Sequence, residues 1–120
     1  MQVYNSNTAP LEEEIYGSVK DNIGVGGNIN VDLKAYTTQG YFLNANAVFT
    51  FTNEPPLLKT ITRTYLVQSE TSETLAFSNA DKIIGAYSSD NTKMNRITVE
   101  STDYGFVKGV FNIVTIEVID

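Results

Sequence analysis

Cysteine, histidine and tryptophan are all absent from this 120-residue chain, and each absence removes a class of chemistry. Without cysteine there are no disulfides, no thiolate metal sites and no thiol nucleophiles. Without histidine, no side chain titrates near neutral pH unperturbed, and the commonest metal ligand is missing. Without tryptophan, a sugar-binding groove lacks its usual aromatic platform. That weakens a carbohydrate-binding module as a reading, and no tyrosine platform is evident to replace it.

Long apolar runs are also missing. The most apolar stretch, Val107 to Ile119, contains Lys108, Asn112 and Glu117 and is too short to cross a bilayer as a helix. No membrane-spanning segment is therefore expected. Basic charge is scarce: eight Lys and Arg stand against fourteen Asp and Glu, for a net charge of −6. The basic residues are scattered, so a phosphate backbone meets repulsion and no patch, and nucleic acid is not an expected partner. The start, Met1-Gln2-Val3-Tyr4-Asn5, has no basic region followed by an apolar segment, so no signal peptide is read there. Use without export is expected, with a removed leader as the alternative.

What is present is alternation. The length suits one domain, residues 1–120, large enough to bury its own core. Ile23, Val25, Ile29, Val31, Leu33 and Ala35 fall on odd positions with polar residues between them, the pattern of a half-buried strand. Gly24, Gly26 and Gly27 interrupt its start, where a bulge or tight loop is expected before a regular strand from about Asn28 to Tyr36. Thr37-Thr38-Gln39-Gly40 reads as a turn. Tyr41, Leu43, Ala45, Ala47, Phe49 and Phe51 then share one face of a second strand. The matched alternation predicts that these two strands form a hairpin.

Pro55-Pro56 stops that ladder, because proline cannot donate to it. Leu57 to Val67 is rich in residues that suit a pleated surface. Thr74 to Phe77, Lys82 to Tyr87 and Met94 to Ser101 are further strands, split by polar turns. The last strand, from about Phe106 to Ile119, carries apolar groups on both faces, as in a strand central in a sandwich or covered by another chain. Pro10 to Lys20 fits a helix stripe through Leu11, Ile15 and Val19 as well as a strand, and strand is preferred. Seven to nine short strands with regular turns predict an all-β, antiparallel β-sandwich of jelly-roll type, with a small barrel as second choice.

Chemistry is thin. The Gly24-Val25-Gly26-Gly27 cluster lacks the Lys-Ser/Thr of a phosphate loop and leads into a strand, so it reads as structural. Glu12 to Glu14, Glu70 with Glu73, and Glu100 with Asp103 read as solvated charge and not as a glycosidase pair. Asn28, Asn30, Asp32, Asp81, Asp90 and Asn91 offer oxygen to calcium, but no loop has the alternating pattern with a central Gly and terminal Glu. No Gly-x-Ser-x-Gly elbow exists. The expectation is no catalytic residues, no metal and no cofactor.

The remaining reading is assembly. Met1 to Pro10 is polar and extended in character, with too little apolar content to hold itself, and is expected to dock as an arm on a neighbouring subunit. Tyrosine joins apolar area to a polar tip, so tyrosines near strand ends suit contact. The candidate subunit contacts are Val3, Tyr4 and Tyr16 towards the N-terminus, Tyr104 before the last strand, and Phe111, Ile113 and Ile119 within it. The partners expected are copies of this chain or other structural proteins. By analogy of fold alone, a jelly roll without a signal peptide suits a virion shell, vertex or decoration protein, or a filament subunit, located in the virion or another extracellular assembly. The alternative is a secreted or periplasmic ligand-binding β-barrel or sandwich, with Ala45, Ala47 and Gly109 leaving room for a cavity.

Overall fold

A computed structural model describes residues 19–35, 38–105 and 108–120. Among them are seven strands and no helix: β1 Val19–Asp32, β2 Thr38–Thr52, β3 Thr60–Ser69, β4 Leu75–Phe77, β5 Lys82–Ile84, β6 Met94–Asp103 and β7 Val110–Ile119. They form one mixed sheet in the order β1-β2-β3-β6-β7-β5, with β4 paired to β2 off that path. The all-β class agrees with the sequence reading. The arm at residues 1–10, and most of the segment from Pro10 that fits helix or strand, lie outside the described residues; Val19 and Lys20 open β1.

The expected hairpin is overturned. β1 and β2 pair in parallel, Val19 opposite Thr38 and Asp32 opposite Thr52. Only residues 33–37 join them. Five residues reach at most about 20 Å, whereas a straight fourteen-residue strand runs about 45 Å. Parallel neighbours ordinarily need a crossover of a dozen residues or more. Both requirements are met here because the strands bend sharply.

The bend is visible in one distance. Tyr41 and Phe49, in the same strand, place their ring centroids 4.9 Å apart. Eight residues of straight strand would separate them by about 27 Å. β2 therefore folds back over itself. The corner lies where register shifts twice, between Ile23 and Val25 and between Val25 and Gly27. Gly24 and Gly27 take φ of +70° and +69°, a region that favours glycine. Gly26 sits so close to β2 that a Cβ there would meet the Ala45 Cβ at 2.6 Å. The bulge expected at this glycine cluster is present, although the strand begins before it.

On the near side of the corner, Gln39 to Leu43 of β2 pairs in parallel with Tyr65 to Ser69 of β3. On the far side, Ala47 to Phe49 pairs in parallel with β4. The chain from β1 to β4 thus winds in stacked turns. The expected antiparallel arrangement holds for β3–β6 and β6–β7 alone, and β5 joins β7 in parallel.

The odd-numbered face predicted for β1 and β2 does become core. Val31, Leu33, Tyr41, Leu43, Ala47, Phe49 and Phe51 are buried with Tyr65, Val67, Ile97, Val99, Val114 and Ile116. Ala45, at the corner, and Ile23, on β1, are exposed instead, and Val25, Ile29 and Ala35 are only half-buried. Asn95 is wholly buried and ties the loop before β6 to the sheet: its amide nitrogen donates to the Val67 and Ser88 carbonyls, and its oxygen accepts from the Ser88 N–H.

Candidate functional site

The predicted contacts do not gather in one place. Val3, Tyr4 and Tyr16 lie outside the described residues. Tyr104 and Phe111 do meet, with ring centroids 5.4 Å apart in an edge-to-face arrangement worth about 1 kcal/mol beyond the area buried. Lys108 Nζ also lies 5.4 Å from the Phe111 ring centroid. Ile119 is at the other end of β7, opposite Met94, about 27 Å along the strand from Phe111. Phe111 and Ile113 are half-buried and Ile119 is exposed, so the second face of β7 is only partly covered. Its first face, through Asn112, Val114 and Ile116, is buried.

A different apolar surface lies at the β1 edge. β1 ends the sheet, and its outer edge has no strand partner among the described residues. Val19 and Ile23 stand 55% and 73% exposed on it. Beside them a cleft of about 340 Å³ is lined by Val19, Ile23, Phe42, Leu66 and Met94, with polar groups from Asp21, Asn22 and Gln68. The outward parity of Phe42 and Leu66 is the sequence signal for this surface; both stand on faces that are mostly polar in alternation, with Val48 the other large apolar residue on that face of β2. At the opposite edge, β5 presents Ile83 and Ile84, each about half exposed. A third apolar point is the turn at Leu57-Leu58. Leu58 occupies φ +60°, which a bulky residue rarely adopts. The turn closes through the Lys59 N–H to the Pro56 carbonyl at 3.0 Å and presents both leucines to solvent.

The polar counterpart is a cleft of about 630 Å³ where β5 and the 79–81 turn meet the start of β7. Glu54, Asp81, Asp103, Lys108, Asn79 and Asn112 contribute its polar groups. Asn112 organises it. Its amide nitrogen donates to Glu54 Oε2 at 2.6 Å and to the Asn79 carbonyl at 2.9 Å, and its backbone N–H donates to Asp81 Oδ2 at 2.8 Å. Lys108 Nζ lies 2.8 Å from Asp81 Oδ1, and this contact is the main reason that the Asp81 carboxyl is held below its usual range. Asn112 is 2% exposed, and its buried Oδ1 has no hydrogen-bond partner among the described residues. A buried acceptor left so costs about 1–3 kcal/mol.

The carboxyl groups of Asp32, Glu73, Asp81 and Asp90 are each shifted downward, mainly by hydrogen bonds. Such groups accept protons poorly and donate none at neutral pH. Among the described residues no group of three or more acidic side chains is placed to hold a metal ion. Asn28, Asn30 and Asp32 lie along β1, whereas Asp81 directly precedes β5 and Asp90 lies in the loop before β6. No helix among the described residues is long and apolar enough to cross a membrane.

Comparison with protein-family models, with curated proteins and with solved structures gives no match for this chain. The functional reading therefore stands on the geometry.

Proposed function

We propose that this domain is a non-enzymatic structural subunit of an assembly, a virion shell, vertex or decoration protein or a filament component. The observation that carries the reading is the β1 edge: a fourteen-residue strand whose outer side has no strand partner among the described residues, bearing Val19 and Ile23 beside the apolar cleft. An edge strand of this length is a template for another strand unless charge or a covering segment blunts it. Addition of a strand from a second chain would supply backbone hydrogen bonds, and the cleft would take an apolar side chain from it.

The jelly-roll-like sandwich expected from strand spacing belongs to the same reading. The folding back of β2 supports two facing layers, while the parallel pairings call for a winding different from that of an antiparallel jelly roll. The alternative of a ligand-binding barrel needs an inward cavity. The inward face of β2 is filled by Tyr41, Leu43, Phe49 and Phe51, and Ala45 faces solvent. These placements favour assembly.

Light scattering across a concentration series tests it. Multimers of defined mass are expected, reduced at least about tenfold in association constant by Ile23→Lys, which places a charge on the strand edge. A particle that stays monomeric at the highest concentration overturns the proposal.

A further inference from the structure

Two apolar features stand at opposite ends of the β3–β6 pair, which runs from Thr60 to Val67 of β3 without a register shift. At one end, the Leu57-Leu58 turn comes just before β3. At the other, Leu66 and Met94 line the cleft of about 340 Å³ beside β1. Leu58 and Leu66 are about 25 Å apart along the strand, so the turn does not reach its own cleft. The turn breaks two local rules. Leu58, its third residue, takes φ +60°, where glycine or asparagine is the ordinary choice. Both leucines are nonetheless left outside, 65% and 70% exposed, so burial within this chain does not offset the strain. The turn is also held in place. The Asp103 N–H donates to the Lys59 carbonyl at 3.0 Å, and the leucines lie against Gly105, where a Cβ would meet Leu58 Cδ2 at 3.0 Å. A strained turn, fixed in place with its apolar tip in solvent, marks a contact surface.

We propose that this turn is a knob that enters the cleft beside β1 of a second copy of the chain, in a head-to-tail contact. The inference rests on the assembly reading and fills the cleft with this turn instead of a side chain from an added strand. Charge favours a second copy as the occupant. Lys59 follows the knob and Asp21 lines the cleft. Both are exposed, and neither has an ion-pair partner among the described residues. The rest of the lining, with Val19, Ile23, Phe42, Leu66 and Met94, offers the leucines the apolar surface that their own chain does not. Knob and cleft are different surfaces, so the contact is heterologous and each copy carries one of each.

Complementation between variants of the full chain, read by light scattering, tests it. Leu57→Ser with Leu58→Gly should lower the association constant about a hundredfold while the melting temperature holds, because glycine accepts a positive φ. Met94→Lys puts an ammonium group into the apolar cleft and should weaken association at least about tenfold. Mixed together, these two variants should form a one-to-one complex, since one keeps the cleft and the other keeps the knob. Misfolded chains cannot restore each other in this way. Lys59→Asp and Asp21→Lys should each weaken association about threefold, and the two reversals in one chain should restore it. Multimers that persist undiminished in the Leu57–Leu58 variant overturn the inference alone and leave the β1 edge as the contact. So does the absence of a complex in the mixture, or of restoration by the paired reversals. A wild-type chain that stays monomeric at the highest concentration overturns this inference and the assembly reading together.

Discussion

The two halves of this sheet reach the same burial by different routes. β6 and β7 run through ten consecutive register pairs, Met94↔Ile119 to Asp103↔Val110, with no shift. β1 and β2 shift register twice within five residues and leave Asn44 to Asn46 without partners across the strand pair. Yet Phe49 in the wound half and Val114 in the regular half are both fully buried. Apolar content does not separate the halves. What separates them is the corner, built where Gly24 meets Asn44, Gly26 meets Ala45 and Gly27 pairs with Ala47. Small residues on both strands at one level allow a bend that large side chains would block.

The largest expected effect tests whether the bend organises the core. Phe49 packs against Tyr41 across the fold of its own strand and against Phe77 of β4, with ring centroids at 4.9 and 6.0 Å. Phe49→Ala should cost about 3–5 kcal/mol, against about 2 kcal/mol for Val114→Ala, which leaves a smaller hole in the regular ladder. Denaturant unfolding measures both; equal costs would remove the distinction. Next comes the corner itself. Gly26→Val drives a Cβ into Ala45, where side-chain and backbone atoms lie within 3.1 Å. A loss of about 2–3 kcal/mol is expected, and a loss under about 0.5 kcal/mol would show that the corner yields freely.

The smallest effect concerns the tyrosines that line the seam between the halves. Burial pushes the Tyr41, Tyr65 and Tyr87 hydroxyls above their ordinary value of 10.0. A raised folded-state pKa gives stability that is whole below pH 10 and fades as pH climbs through the folded value, because the unfolded chain ionises first. Stability should therefore drop from about pH 10 upward. The Tyr65 hydroxyl is buried without a hydrogen-bond partner among the described residues, so Tyr65→Phe should be neutral or up to about 1 kcal/mol stabilising at pH 7 and should shrink the alkaline loss. Thermal melts from pH 7 to 11 decide it.

Much of this was legible in the residues. Alternation located β2, β6 and the strand cores of β3 and β7 to within a few residues, and turn chemistry located the breaks at Ser78–Asp81 and Ser88–Lys93. Alternation reports which face is buried; it carries no information on the direction of the neighbour. The hairpin reading failed there, since a parallel partner folded around a corner buries the same odd-numbered face. Ala45 held the clue, an apolar position amid asparagines that meets Gly26. The Tyr104–Phe111 contact follows from a short connection between adjacent strands. The cleft around Asn112 was not legible. Glu54, Asp81 and Asp103 are far apart in sequence, and the pairing of a three-residue strand with β7 brings them together.

The winding also sets how the length of this chain can vary. β2 is held at once by β1 on one side and by β3 and β4 on the other. One residue inserted on either side of its corner would slip that stretch by half a pleat against neighbours on both flanks, turning core side chains outward. The connection from Tyr104 to Gly109 joins an antiparallel pair, with the Tyr104 N–H donating to the Gly109 carbonyl, and extra residues there would cost little in loop closure. Length polymorphism in such a chain belongs after β6, and strict length belongs between Val19 and Phe77.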